Sequence, residues 1–279
     1  MTLTMSPVLV WLSFSSINMW VVILSGFNFY HDYFSSKLYP VDSSEEFDFI
    51  VVGSGSAGSV VANRLSRNNR VFLLEAGGDP IHLHTIPGLA PDLLHRPQID
   101  WIHKSLPQKD TLKAHVEQVS RWPRGKALGG SSNLNYMLYV RSHPLDYDNW
   151  ANITGDPTWS YENVLPFFKK SNDYHGHFYN EKHYGQTGYG TLRVEELKWN
   201  PLKNCFINAG KQMGYPYIDL NGPQSSGFCE LEVNQKNGER CGTFQAFVRP
   251  ILHRENLVIS RYSQATKAIP NKYSLQEGM

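Results

Sequence analysis

The chain has 279 residues, 41% of them hydrophobic and 18% charged, with 26 Lys plus Arg against 25 Asp plus Glu and a net charge of +1. That composition excludes a disordered tail, and the near-neutral charge excludes the electrostatic footprint of a nucleic-acid binder. Three widely spaced cysteines, Cys205, Cys229 and Cys241, exclude a disulfide scaffold, and without a C-x-x-C pair they argue against a structural zinc site.

From Met1 to Tyr30 there is no Asp, Glu, Lys or Arg, and fifteen of the twenty-three residues from Pro7 to Phe29 are strongly apolar. Such a segment reads as a membrane-targeting signal, because a helix apolar on all sides is not built for a protein surface. A cleaved secretory signal would end near Ser25-Gly26; a retained anchor would use all twenty-three residues to span a bilayer. The missing basic n-region weighs against the first, and the interruptions at Ser13, Ser15, Ser16 and Asn18 weigh against the second. Secretion is the favoured expectation, with a membrane-anchored form in the secretory pathway as the alternative. His31 to Glu46 reads as a polar linker, and Asn152-Ile153-Thr154 is an N-glycosylation sequon consistent with that route.

Phe47 to Val52 is a short apolar run with β-branched residues, expected as a buried parallel strand. It leads into Gly53-Ser54-Gly55-Ser56-Ala57-Gly58, then a helical pattern from Ser59 to Leu65, then a second strand from Arg70 to Leu74 that ends at Glu75. The order strand, G-x-G-x-x-G, helix, strand, acid is that of a dinucleotide-binding βαβ unit. Gly53 serves the tight turn, Gly55 lets the backbone approach a pyrophosphate, and Gly58 lets the helix pack on the strand. The helix N-terminus presents unpaired N–H groups and a positive dipole end to the phosphates. Glu75 is spaced to accept hydrogen bonds from ribose hydroxyls, and a carboxylate there disfavours NADP. These features leave NAD and FAD both open.

A second glycine-rich stretch, Trp122 to Arg141, contains Gly125, Gly129 and Gly130 and is expected to open a helix capped by Ser131 or Ser132. Arg124 and Lys126 precede its turn and would suit a phosphate-facing surface. Further on, Ser160 is expected to cap a helix that buries Phe167 and Phe168. The histidines His175, His177 and His183 share a loop with Tyr174, Tyr179 and Tyr184; lacking a carboxylate or cysteine at a recognised spacing, they read as loop packing and not as a metal site. Leu192–Val194 and Leu231–Val233 read as strands. Asn200-Pro201 opens a helix with apolar Leu202, Phe206, Ala209 and Met213, stopped by Gly214. Asn256 to Ser260 reads as a last strand. The fold expected is α/β: a Rossmann-type sheet with an inserted α+β part between about 150 and 240.

These motifs together resemble the glucose–methanol–choline (GMC) oxidoreductases, particularly the insect glucose-dehydrogenase-like members, from Phe47 to Ile269. The resemblance rests on the glycine fingerprint with Glu75-Ala76-Gly77-Gly78 and on the stretch Gly125 to Asp148. It continues through Trp159-Ser160-Tyr161, Asp219-Leu220-Asn221-Gly222, Gly238-Glu239-Arg240-Cys241 and Asn256-Leu257. Ser142 departs from the family pattern, which has Gly, Ala or Pro there. The resemblance implies FAD as cofactor, with Gly53, Gly55 and Gly58, and the intervening Ser56 and Ala57, at the pyrophosphate and Glu75 at the adenosine ribose. Ala127, Asn135, Tyr136, Met137 and Leu138 would line the pyrophosphate and flavin side. Ala265, where the family usually has Val, would contact the adenine through its backbone.

It further implies oxidation of the CH–OH group of an alcohol or sugar, hydride passing from the alcohol carbon to the flavin and electrons onward to a quinone-like acceptor or oxygen. No nucleic acid is implied as a partner, and a membrane only through an uncleaved N-terminal segment. No catalytic residue is assigned, because none of the eleven histidines stands at the family's catalytic position. The chain is expected to be an N-terminal portion truncated at the C-terminus, divergent from Pro270 to Met279. The alternatives are a non-catalytic secreted FAD-binding product and an inert fragment.

Overall fold

The computed structural model describes residues 45–186, 191–197, 201–222 and 226–269, together with Met19, Trp20, Ile23, Gly26, Phe27, Tyr30 and Phe34. Those seven N-terminal residues are helical; most of the segment read as leader or anchor, and the tail from 270, lie outside the described residues. No helix among the described residues is long and apolar enough to cross a membrane. In chain order the elements are β1 (Phe49–Val52), α1 (Ser56–Leu65), β2 (Val71–Leu74), α2 (Ala90–Leu93), β3 (His103–Lys104), β4 (Arg121–Trp122), α3 (Pro144–Thr154), α4 (Tyr161–Ser171), β5 (Asn172–His175), β6 (Leu192–Glu196), α5 (Lys203–Gln212), β7 (Glu232–Val233), β8 (Gln235–Lys236), β9 (Glu239–Arg240) and β10 (Leu257–Ser260). They fall into two units. The first comprises Met1–Leu83, His95–Gly130 and Arg254–Met279; the second comprises His84–Leu94 and Ser131–His253.

The first unit is built on a parallel sheet in the order β1-β2-β10. Phe49 pairs with Val71, and Leu257 pairs with the same Val71 from the other side. Val71, Leu73 and Ala62 are fully buried where α1 lies on the sheet. The strand after Asn256 is where the sequence places it. Arg254 donates through Nη1 to Asn63 O and Ser66 Oγ, each at 2.8 Å, and Asn256 Nδ2 donates to Ser66 O and Asn69 O. Together they tie the entry to β10 to the end of α1. One expectation fails. β1 is parallel but only Val51 is buried; Ile50 and Val52 are 63% and 64% exposed. Among the described strands β1 has one neighbour, so it is a sheet edge, and three of its four side chains are exposed.

The second unit has a three-stranded sheet, β5-β6-β7, parallel at β5–β6 and antiparallel at β6–β7. β8 and β9 form a hairpin whose two loop residues, Asn237 and Gly238, both have positive φ (55° and 80°), as a two-residue turn of the right twist demands. Tyr174, Tyr184 and Val194 make its buried centre, the two rings stacked at 3.7 Å.

The expected helix after Ser132 does not form. A 3-10 turn, Gly130–Asn133, is followed by extended and left-handed backbone, with Met137 at φ 64° and Ser142 at φ 67°. The cause lies in the partners. Tyr139 N donates to Glu232 O and Asn234 N to Met137 O, so this segment's peptide groups pair with β7 and its flank. The Ser132 hydroxyl is drawn to Thr243 and does not cap a helix.

α4 begins after Ser160, but its hydroxyl caps no backbone N–H, and Phe167 is 68% exposed. Phe168 packs edge-on against Tyr147, which turns its neighbour Phe167 outward. α5 starts at Lys203, Asn200 being outside the described residues, and Gly214 follows it in the left-handed region at φ 85°. Its buried face is Ile207 and Gly210, while Leu202, Phe206 and Met213 are exposed. A Cβ on Gly210 would lie 2.5 Å from the Phe228 ring, so the missing side chain is what admits that ring.

Candidate cofactor-binding site

The fingerprint turn occupies the end of β1 and the start of α1. Gly53 sits at φ 83°, a conformation that costs an L-residue energy and a glycine none, and its N–H donates to Leu74 O at 2.8 Å. A Cβ on Gly58 would meet Gly53 O at 1.9 Å, so the helix can approach the strand this closely only without a side chain there. Gly55 is different: a Cβ on it meets nothing within 4 Å. Protein packing therefore does not explain this glycine, whereas close approach of a ligand does. Gly55 is also the N-cap of α1 and provides no side chain to cap it. Ser56 and Ala57, the first residues of α1, are exposed. The free N–H groups of this first turn and the helix dipole favour an anion.

Glu75, at the end of β2, is 6% exposed. Its Oε2 accepts from Ser54 N at 2.9 Å and Ser54 Oγ at 2.7 Å, and its Oε1 accepts from Gly77 N at 2.9 Å. The carboxylate thus braces the fingerprint turn against the glycine pair that follows β2.

The second glycine-rich stretch meets the first at backbone distance. Gly129 N donates to Ser54 O and Leu128 N to Gly78 O. A Cβ on Gly130 would lie 2.7 Å from Gly55 Cα, and one on Gly77 would lie 2.0 Å from Lys126 O. Ala127 is buried and bridges Gly78. Arg124 and Lys126 engage rings: the Arg124 guanidinium lies 5.3 Å from the Trp122 centroid and the Lys126 ammonium 4.8 Å from that of Trp101. Ala265 lies in an exposed, irregular stretch after β10, three residues beyond Tyr262, whose N–H donates to Gly77 O.

The structure therefore brings Gly53, Gly55, Ser56, Ala57, Gly58, Glu75 and Ala127 into one cluster. Ser54 and Gly130 belong to it and were not singled out from sequence. Gly130 could have been found as the second of a glycine pair; buried Ser54 carries no sequence signal. This geometry fits a dinucleotide pyrophosphate: an open flank, a helix N-terminus and a clamp of glycines.

Asn135, Tyr136, Met137 and Leu138 belong to the second unit. Asn135, Tyr136 and Leu138 are exposed and Met137 is buried. Met137 N donates to Asn135 Oδ1, two residues earlier, at 3.1 Å. Leu138 forms an antiparallel bridge with Val233. Beyond it lies a buried polar network missed by sequence reasoning. Arg141 N donates to Asn221 Oδ1, and Asn221 Nδ2 donates to Glu232 Oε2. Glu232 also accepts from the Tyr174 hydroxyl, and the Tyr184 hydroxyl donates to Asp219. Burial raises the Glu232 carboxyl above the usual carboxylate range, against the pull of the bonds from Tyr174 and Asn221. The Tyr184 phenol is raised by burial and by the bond to Asp219. Among the described residues no cluster of His, Cys, Asp or Glu could hold a metal, and the three cysteines are free.

A parallel sheet, a glycine fingerprint and a capless helix N-terminus define a dinucleotide-binding α/β protein. Residues 47–275 match the family described as GMC oxidoreductase, and the chain belongs to that family. It is 41% identical over 238 residues to glucose dehydrogenase [FAD, quinone] of Drosophila melanogaster, covering 84% of this chain and 38% of the relative. It is 37% identical over 231 residues to alcohol dehydrogenase [acceptor] of Pseudomonas putida, covering 80% of this chain and 40% of the relative. Among solved structures, pyridoxine 4-oxidase from Mesorbium loti aligns with a TM-score of 0.73 at 31% identity, covering 81% of this chain and 44% of that one. The chain thus spans about two fifths of the curated relatives it matches.

Proposed function

We propose that this chain is the FAD-binding portion of an oxidoreductase acting on the CH–OH group of an alcohol or sugar. The observation that carries the reading is the open flank at Gly55, clamped by Gly130 and backed by the N-terminus of α1. Gly53, Gly55, Ser56, Ala57 and Gly58 would hold the pyrophosphate, Glu75 the adenosine ribose while bracing the turn, and Ala127 the clamp. Ala265 would meet the adenine through its backbone. Asn135, Tyr136, Met137 and Leu138 would face the flavin side. FAD bound there would supply the hydride acceptor; the protein's part is binding, orientation and electrostatics. A quinone-like electron acceptor is favoured by the likeness to the Drosophila enzyme, named for FAD and quinone; the Pseudomonas relative is named for an acceptor without specifying it. Entry into the secretory pathway is supported by the charge-free N-terminus and by the exposed Asn152 of the sequon.

The test is Gly55→Val in the 279-residue chain. The added side chain meets open space in the protein, so the melting temperature should hold, while FAD uptake, read as flavin absorbance after gel filtration, should be lost. Retained flavin at the parent level would refute the reading.

A further inference from the structure

Arg240 ends β9 and is 2% exposed. Its Nε donates to His84 O at 2.8 Å, and its Nη1 donates to Ser132 O at 3.0 Å and to Asn135 Oδ1 at 2.9 Å. The Asn135 oxygen is shared, since it also accepts from Met137 N at 3.1 Å. Met137 has φ 64°, a conformation that costs a non-glycine residue roughly 1–2 kcal/mol and persists only where neighbours enforce it. Three residues after Arg240, Thr243 grips the same turn: Thr243 N donates to Ser132 Oγ at 2.9 Å. The short segment 240–243 thus holds the 132–137 turn at several points.

The charge is unusual in its company. All three acceptors are neutral oxygens, and the buried Nη2 has no hydrogen-bond partner. Burial alone lowers the guanidinium to about 10, so it remains a cation at neutral pH. A cation paired only with dipoles in a low-dielectric surrounding acts over a longer range than one neutralised by a carboxylate.

We propose that Arg240 is a positioning residue for the cofactor-facing turn Ser132–Met137, and that its charge favours the reduced over the oxidised cofactor. This rests on the assignment of Asn135 to Leu138 to the flavin side. The positioning arises because a planar guanidinium reaches His84 O through Nε while its Nη1 holds Ser132 O and Asn135 Oδ1, which an ammonium on a flexible stem does not. The electrostatic part arises because reduction adds electron density to the flavin, and a buried cation stabilises added negative charge.

The experiment uses the full 279-residue chain loaded with FAD, measuring the FAD dissociation constant by fluorescence and the flavin reduction potential by dye equilibration. Arg240→Lys keeps the charge and loses the fork, so FAD should bind about tenfold more weakly or worse, the effect of one lost charged hydrogen bond, with little change in potential. Asn135→Asp keeps the contact with Arg240 and neutralises its charge, so the fold should hold while the potential falls. A tenfold change in the ratio of affinities for reduced and oxidised FAD reads as about 30 mV for this two-electron couple. Arg240→Met should show both effects, and if it does not fold, the Asn135→Asp potential still decides. An unchanged potential in Asn135→Asp, or unchanged FAD affinity in Arg240→Lys, overturns the corresponding half. If Gly55→Val loses FAD while these variants match the parent, only the role of Arg240 falls; if the parent takes up no FAD, both readings fall.

Discussion

In the unit that carries the fingerprint, the glycine-rich turns meet backbone to backbone, beside the brace of the Glu75 carboxylate. Gly58 faces Gly53 O, Gly77 faces Lys126 O, and Gly130 faces Gly55 Cα, each at a separation that excludes a methyl group. In the other unit the corresponding segment is held by buried side chains: Arg240 on Asn135, Asn221 on Arg141, and Tyr174 on Glu232. Those three glycine contacts have no room for added volume and involve no charged group. The second arrangement accommodates changes of shape better than it tolerates loss of a donor or a change of protonation. Stability should therefore respond to different perturbations in the two units.

The largest effect is expected from Gly77→Ala. The new Cβ would fall 2.0 Å from Lys126 O, 2.2 Å from Lys126 C and 2.6 Å from Ala127 N, all backbone atoms with no rotamer to yield. A loss of about 3 kcal/mol or more follows, the upper end of overpacking, read as a lower urea midpoint or failure to accumulate. An unchanged midpoint would break the steric side of the comparison.

Glu232→Ala comes next. It strands the Tyr174 hydroxyl proton in a buried site and leaves Asn221 Nδ2 with Tyr139 O alone, at about 2 kcal/mol. Its pH dependence sharpens the contrast. The folded-state carboxyl titrates above the unfolded value of 4.5, so folding binds a proton. Its contribution is fully present below that value and is lost as pH rises through the raised folded value. Glu232→Gln should flatten the decline in stability above pH 4.5, whereas Gly58→Ala should lower stability equally at every pH. A Glu232→Gln curve parallel to the parent's would remove the electrostatic side.

Tyr184→Phe removes a hydroxyl that lies 2.6 Å and 2.7 Å from the two Asp219 oxygens. The cost should be about 1.5 kcal/mol, that of a hydrogen bond to a charged group, since Asn221 N still donates to Asp219. Asn152→Gln should be the smallest. Asn152 is exposed, so stability should stay within about 0.5 kcal/mol. In a eukaryotic secretory host the parent should show a glycosidase-sensitive mobility shift that this variant lacks; an unshifted parent counts against the secretory reading.

The same contrast explains what could be read from the sequence. Gly53, Gly58 and Glu75 were legible because their constraint is local: a turn, a helix on its own strand, and an acid one strand later, all within one βαβ unit. Even the distant β10 could be recognised, because a run of apolar β-branched residues after Asn256 needs no partner to announce itself. The contacts of Arg240, Asn221 and Glu232 were not legible. Arg240 and Asn135 are 105 residues apart, Arg141 and Asn221 are 80 and Tyr174 and Glu232 are 58, and no spacing rule connects them. The false helix after Ser132 failed for a related reason: long-range pairing with β7 outcompeted a local cap. Likewise the apolar stripe on α5 misjudged its buried face, because Gly210 makes room for Phe228, a residue outside the helix.

The parallel pairing of β10 with β2 also sets a timetable. Leu257 lies opposite Val71, so the central strand of the fingerprint sheet waits for a neighbour that is synthesised 186 residues later. At roughly 5–20 residues per second, a ribosome takes on the order of 10–40 s to deliver it. During that interval β1, α1 and β2 can associate locally, but β2 keeps one edge open, and the clasp of Arg254 and Asn256 on the end of α1 cannot close. The stretch from Ser131 to His253 emerges meanwhile and has its own sheet to form. The nascent chain is thus exposed to edge-to-edge misassociation throughout that interval, and chaperone dependence should be concentrated in that window.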